Sequence, residues 1–175
     1  MNKRINFFSI VLLFFFYNTS VFSENKILFI DIDYIYANST AGKKVKDKIK
    51  IETKKIQEEL SKYQKEIKDD KDKLVNQKNV LSQEELKKKS VSLEKKAKDY
   101  NKIISDKNKK LSKYVNNANI KFYQILTKVV QEYSTNNSIE MIIKKQSILI
   151  GKKSLDATQD ILDLFNKNIK DIKIN

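Results

Sequence analysis

NQKNVLSQEE, residues 76–85, decides how the rest of the chain is read, because a long segment of the same apolar rhythm lies on each side of it. Within it, Ser82 and Glu85 stand in the S-x-x-E spacing of a capping box, where the serine oxygen takes the glutamate N–H and the carboxylate takes the serine N–H. A helix starts here. Before it, Ile49, Thr53, Ile56, Leu60, Tyr63, Ile67, Asp70 and Leu74 recur at alternating steps of four and three, the heptad rhythm that winds helices around each other left-handedly. After it, Leu86, Ser90, Leu93, Ala97, Tyr100, Ile104, Lys107, Leu111, Tyr114 and Ala118 keep the same steps. Two matched seams joined by a short turn predict an antiparallel helical hairpin with its tip near 76–82. Arms of about 35 to 40 residues, rising 1.5 Å per residue, reach about 50 to 60 Å from their root. Asp70 and Lys107 on the seam predict an arm that tolerates water and motion better than a tightly zipped coiled coil.

Outward from the hairpin the texture changes. Asn38, Ser39 and Thr40 offer capping oxygens to a helix beginning near Ala41, and KILFIDID at Lys26 to Asp33 is a short apolar run that reads as a strand. On the other side, Ile120, Phe122, Tyr123, Ile125, Leu126, Val129, Val130 and Tyr133 surround most of a helix, the pattern of a buried one. Ile139 to Ile143 and Ile148 to Ile150 read as a β-hairpin linked by Lys144 to Ser147. Asp156 is placed to cap a last helix, with Gln159 at the capping-box position. The fold class is therefore α+β, with a small β body and a long protruding antiparallel coiled-coil hairpin. The body is expected over 24–40 and 120–175 and the arm over 41–119. Three short strands are marginal alone, so the body is expected to be completed by self-association. Ile27, Phe29, Ile30, Ile142, Ile148 and Ile150 are the candidate residues for that contact.

At the N-terminus, Lys3 and Arg4 precede the apolar stretch Ile10 to Phe16, followed by Val21-Phe22-Ser23, the layout of a cleavable export signal. Its apolar part, Phe7 to Tyr17, falls short of the roughly 20 residues that span hydrocarbon. Cleavage after Ser23 removes Lys3 and Arg4 and takes the formal net charge from +14 to +12. The chain is expected to be exported and strongly basic.

Absences narrow the chemistry. With no Cys and no His among its 175 residues, the chain has no thiol or imidazole chemistry and no disulfide. Gly42 and Gly151 are its two glycines and neither stands in a phosphate-binding loop, so neither ATP use nor any cofactor is expected. Asp31 with Asp33, and Asp69 with Asp70, read as solvated charges rather than as an acid and base in a walled cleft. The chain is not expected to be an enzyme.

In its order of elements the sequence resembles the Skp/OmpH family of periplasmic chaperones. The resemblance is carried by KILFIDIDYIYANSTAGKKVKDKI at Lys26 to Ile49, LSQEELKKKSVSLEKKAKDYNK at Leu81 to Lys102, and SIEMIIKKQSILIGKKSLDATQDIL at Ser138 to Leu162. It implies a periplasmic homotrimer whose strands build a shared barrel, with three arms around a cavity that holds unfolded outer-membrane proteins without ATP. Lys87, Lys88, Lys89, Lys95, Lys96 and Lys98 are candidate client-binding charges, with Tyr63 and Tyr100 as amphipathic contacts. Lipopolysaccharide or an anionic membrane surface is a further candidate partner, since phosphates suit lysine clusters. Every cation after Arg4 is Lys, whereas relatives mix Lys and Arg, so bidentate arginine contacts are missing.

Two other functions compete. A pI near 9.6 is the electrostatic footprint of a nucleic-acid binder, but export, acids mixed among the lysines and the lack of a stacking platform oppose it. An exported structural spacer or adaptor is the stronger alternative, and the resemblance weighs against it.

Overall fold

The computed structural model describes residues 26–174, so the export signal read over 1–23 lies outside the described residues. Strand β1, Ile27–Ile30, is buried along Leu28, Phe29 and Ile30. It ends earlier than the expected Asp33, and the reason is Asp31. Its carboxylate accepts the Tyr34 N–H at 2.9 Å and caps a short helix, α1, Ile32–Asn38. Its own N–H donates to Thr158 Oγ1 at 2.8 Å and so leaves the strand ladder.

Ser39 then caps helix α2, Thr40–Asn76, by accepting the Gly42 N–H at 3.0 Å. The α1–α2 corner is tight. A Cβ at residue 42 would lie 2.0 Å from the Tyr36 carbonyl oxygen and 2.8 Å from Ser39 Oγ, so glycine is what lets α2 leave the corner.

The second long helix, α3, runs unbroken over Gln83–Asn136 and begins with the expected capping box. Ser82 N–H donates to Glu85 Oε2 at 3.1 Å and Glu85 N–H to Ser82 Oγ at 3.3 Å. Its lower part buries one stripe, Ala118, Phe122, Leu126 and Val129. The expectation of burial all round is corrected here, because Ile120 and Tyr123 are each 44% exposed. Among the described residues, elements of this chain cover one side of α3.

Strand β2, Met141–Lys144, lies parallel to β1, with Ile27, Leu28, Phe29 and Ile30 opposite Met141, Ile142, Ile143 and Lys144. These two strands form the sheet. The expected third strand at Ile148 to Ile150, and with it the β-hairpin, is absent. After β2 the chain enters a one-turn 3₁₀ segment, Lys145–Ser147, that takes the Ile148 N–H onto Lys145 O at 3.0 Å. A strand at 148–150 finds no ladder among the described residues, and Leu149 and Ile150 stand 98% and 89% exposed. The outer edge of β1 is instead closed by Ala157, whose N–H donates to Phe29 O at 2.9 Å.

Helix α4, Thr158–Asn168, closes the body. Asp156 Oδ1 accepts the Thr158 N–H at 3.0 Å and also its hydroxyl. The capping box expected with Gln159 does not form, since Gln159 Nε2 turns along the helix to Asp163 Oδ1 at 2.9 Å. The core gathers around Phe122. Tyr36 meets its ring edge-on at 4.6 Å and Phe165 packs at 5.3 Å, with Ile35, Val45, Ala118, Ile161 and Ile172 buried in the same cluster.

Candidate functional site

Beyond the core, α2 and the upper part of α3 form a bare two-helix arm. Past residue 49 on α2 the one buried side chain is Ile56, and α3 buries none before Ala118. A single seam between two helices leaves each seam residue only half covered, the pattern that heptad spacing without a third helix produces. Charged pairs bridge the seam. Asp70 pairs with Lys96, and Glu59 pairs with Lys107, each across the hairpin. Lys89 Nζ adds a hydrogen bond to Gln77 Oε1 at 2.7 Å under the tip. The two charged seam positions, Asp70 and Lys107, therefore tie the arms together rather than only admitting water.

The hydrogen bond from Lys107 holds the Glu59 carboxyl below its ordinary value, and the bond from Lys96 does the same for Asp70. Reciprocally, Lys96 and Lys107 are held above the ordinary lysine range by those same partners. Sequence reasoning passed over Glu59 and Lys107 as a pair. Once the turn length at 76–82 is fixed, the register that sets Asp70 by Lys96 also sets Glu59 by Lys107, so the signal was present in the spacing.

This network sorts the candidate lysines. Lys88 and Lys98 form i,i+4 pairs with Glu84 and Glu94 at 2.8 Å and 2.9 Å. Lys89 and Lys96 are held across the hairpin. Among the described residues, Lys87 and Lys95 make no ion pair or hydrogen bond, and both are exposed. Tyr63 and Tyr100 come together on the arm, where with Ile67, Lys96, Asp99 and Ile103 they line a shallow groove. Tyr63 is exposed, while Tyr100 is half-buried and its hydroxyl reaches Leu60 O at 3.4 Å. Ile51, Val75, Val80 and Val91 are exposed apolar side chains along the same arm. Sequence reasoning did not single these out, because three of them lie off the seam it followed and Val80 lies in the tip turn.

The residues proposed for self-association fall into three groups. Phe29 and Ile30 are buried in the chain's own core, whereas Ile27 and Ile150 are exposed, and Ile142 and Ile148 lie half-buried or at its margin. A shallow cavity lined by Ile32, Tyr123, Val130, Ile142 and Ile143 opens beside the uncovered side of α3. Among the described residues no three acidic side chains gather where a metal ion would sit, and no helix is long and apolar enough to cross a membrane. Charge and weakly apolar surface, the makings of reversible binding, are what the arm presents.

Residues 26–165 match the family described as outer membrane protein (OmpH-like). No curated protein matches the sequence. In fold, the structure is similar to the crystal structure of a proposed outer membrane chaperone (OmpH-like) from Caulobacter crescentus CB15, with a TM-score of 0.80 and 16% identity over 86% of this chain and 89% of that one. The family match runs from β1 through the whole arm into α4, and on that extent the chain belongs to the OmpH-like outer membrane protein family.

Proposed function

We propose that the protein is a non-enzymatic, ATP-independent periplasmic holdase, exported by the signal over 1–23, that keeps unfolded outer-membrane proteins from aggregating. One observation carries this reading: a long lysine-rich arm that stands away from the core and spreads half-covered and exposed apolar side chains among its charges. Exposed cations attract acidic chains over distance. Tyrosines and isolated aliphatic groups add weak contacts that hold a disordered chain without fixing it. Lys87 and Lys95, with the Tyr63–Tyr100 groove, are the proposed client contacts. The same ammonium groups suit the phosphates of lipopolysaccharide or an anionic membrane face.

A single arm encloses nothing, so holding a client calls for several. The free edge of β2, the uncovered Ile120 and Tyr123, and the bare Leu149 and Ile150 support a homotrimer built through the body, with three arms around a shared cavity. The test is dilution of an unfolded porin with and without the protein, read by light scattering. Suppressed aggregation that weakens from low salt to 1 M, where screening shortens to about 3 Å, is the expected outcome. Unchanged aggregation would make the protein a spacer.

A further inference from the structure

The segment after α4 lies beyond the family match, which ends at residue 165, and it is ordered against the root of the arm. We infer that residues 169–174 form a strap that clamps α2 to α3 at the arm's root and so limits how far the arm swings. This device concerns the arm's mechanics and stands whether or not the arm holds a client.

The clamp has a peg and two ties. Ile172 is the peg, 2% exposed within the core cluster, with Ile169 and Ile174 packed against the same cluster. On the α2 side, Lys48 Nζ donates to Asp171 Oδ1 at 2.7 Å and to Ile172 O at 2.8 Å. On the α3 side, Lys121 Nζ donates to Lys173 O at 3.2 Å. Thus one short segment holds both rails of the hairpin, with an ammonium group from each.

Its position decides what it does. Around Lys48 and Lys121 the helices are locked by Val45, Ala118 and Phe122, all fully buried. Beyond Lys48 on α2 and Ala118 on α3, toward the tip, the arm is a bare pair whose one buried side chain is Ile56. A lever bends where its support ends, and the strap lies across that boundary. From Lys48 to the tip the arm is about 40 Å long at 1.5 Å per residue, so a few degrees of freedom at the root become several ångströms at the tip.

The chain has no cysteine, so spin labels at Lys78→Cys on the tip and Lys167→Cys on α4 report alone. Diluting labelled chains with unlabelled ones keeps the measured distance within one chain in any assembly. In full-length protein carrying Ile172→Ser, the width of the tip-to-body distance distribution should at least double, and amide exchange at 169–174 should rise at least tenfold. An unchanged width with those amides exchanging freely would overturn the strap. Should Ile172→Ser fail to fold, Lys48→Ala with Lys121→Ala leaves the apolar core intact and cuts only the ties. That variant should also broaden the distribution, and an unbroadened one overturns the inference.

Discussion

At residue 42 two opposing effects can be weighed. Alanine is favoured over glycine within a helix by about 1 kcal/mol, so Gly42→Ala would stabilise α2 if nothing else changed. Against this, its methyl group would lie 2.0 Å from the Tyr36 carbonyl oxygen, and a backbone atom cannot swing aside as a side chain can. Overpacking of this kind costs about 1 to 3 kcal/mol, so the clash outweighs the propensity. Gly42→Ala should lower the stability read from urea unfolding by up to about 2 kcal/mol; equal or greater stability would show that the corner relaxes freely. The sequence hides this requirement, because the oxygen that demands glycine belongs to a short helix, α1, most of which lies between the strand expected to end at Asp33 and the helix expected to begin near Ala41. Ser39, by contrast, was readable as a cap since its partner Gly42 is three residues away.

Among the elements, the arm was the most readable part because heptads and a capping box are local patterns, and both helices start where their capping residues placed them. The paired charges were not readable one helix at a time. Glu59 and Asp70 both have folded-state carboxyls held below their ordinary values by lysines on α3. The ties are therefore fully present above the unfolded carboxyl range, roughly pH 4 to 4.5, and are lost as pH falls through the lower folded values. Lys96 and Lys107 are raised, so on the alkaline side the ties persist through pH about 10.4 and fade above it. Amide protection factors within 55–72 and 92–110, which divide out the intrinsic pH dependence of exchange, should stay flat between these limits and fall in acid. Glu59→Gln with Asp70→Asn should already exchange faster at neutral pH and lose most of the acid response. A variant that follows the parent's curve would mean that the ties contribute nothing to arm closure.

For the whole molecule, the proposed self-association separates two kinds of apolar strand residue that look alike in the sequence. Ile30 lies in the protomer's core and Met141 is exposed on β2. Met141→Asp should therefore reduce the sedimenting mass to that of one chain while leaving its helical signal unchanged. Ile30→Asp should unfold the protomer itself, through the cost of a charge without a partner in an apolar interior. A Met141→Asp protein that keeps the parent's mass would take the β2 edge out of the assembly. The missing third strand belongs to this scale as well. ILI at 148–150 has the composition of a strand, but a strand needs a ladder, and which ladder is on offer is decided by the pairing of the entire chain.

That pairing has a consequence in time. Ile27 stands opposite Met141 in a parallel register, so β1 is made and delivered long before its partner exists. Closing so long a loop of flexible chain is slow, and contacts far apart in sequence delay folding. The segment between them, however, is mostly one helical hairpin, which can zip from its tip turn using near neighbours alone. As it zips, it carries the start of α2 and the lower part of α3 to the same end of a rigid rod and shortens the remaining search to a few residues on each side. The long arm is thus what brings the two strands of the sheet within reach of each other, and until it has closed, the apolar β1 has no partner strand.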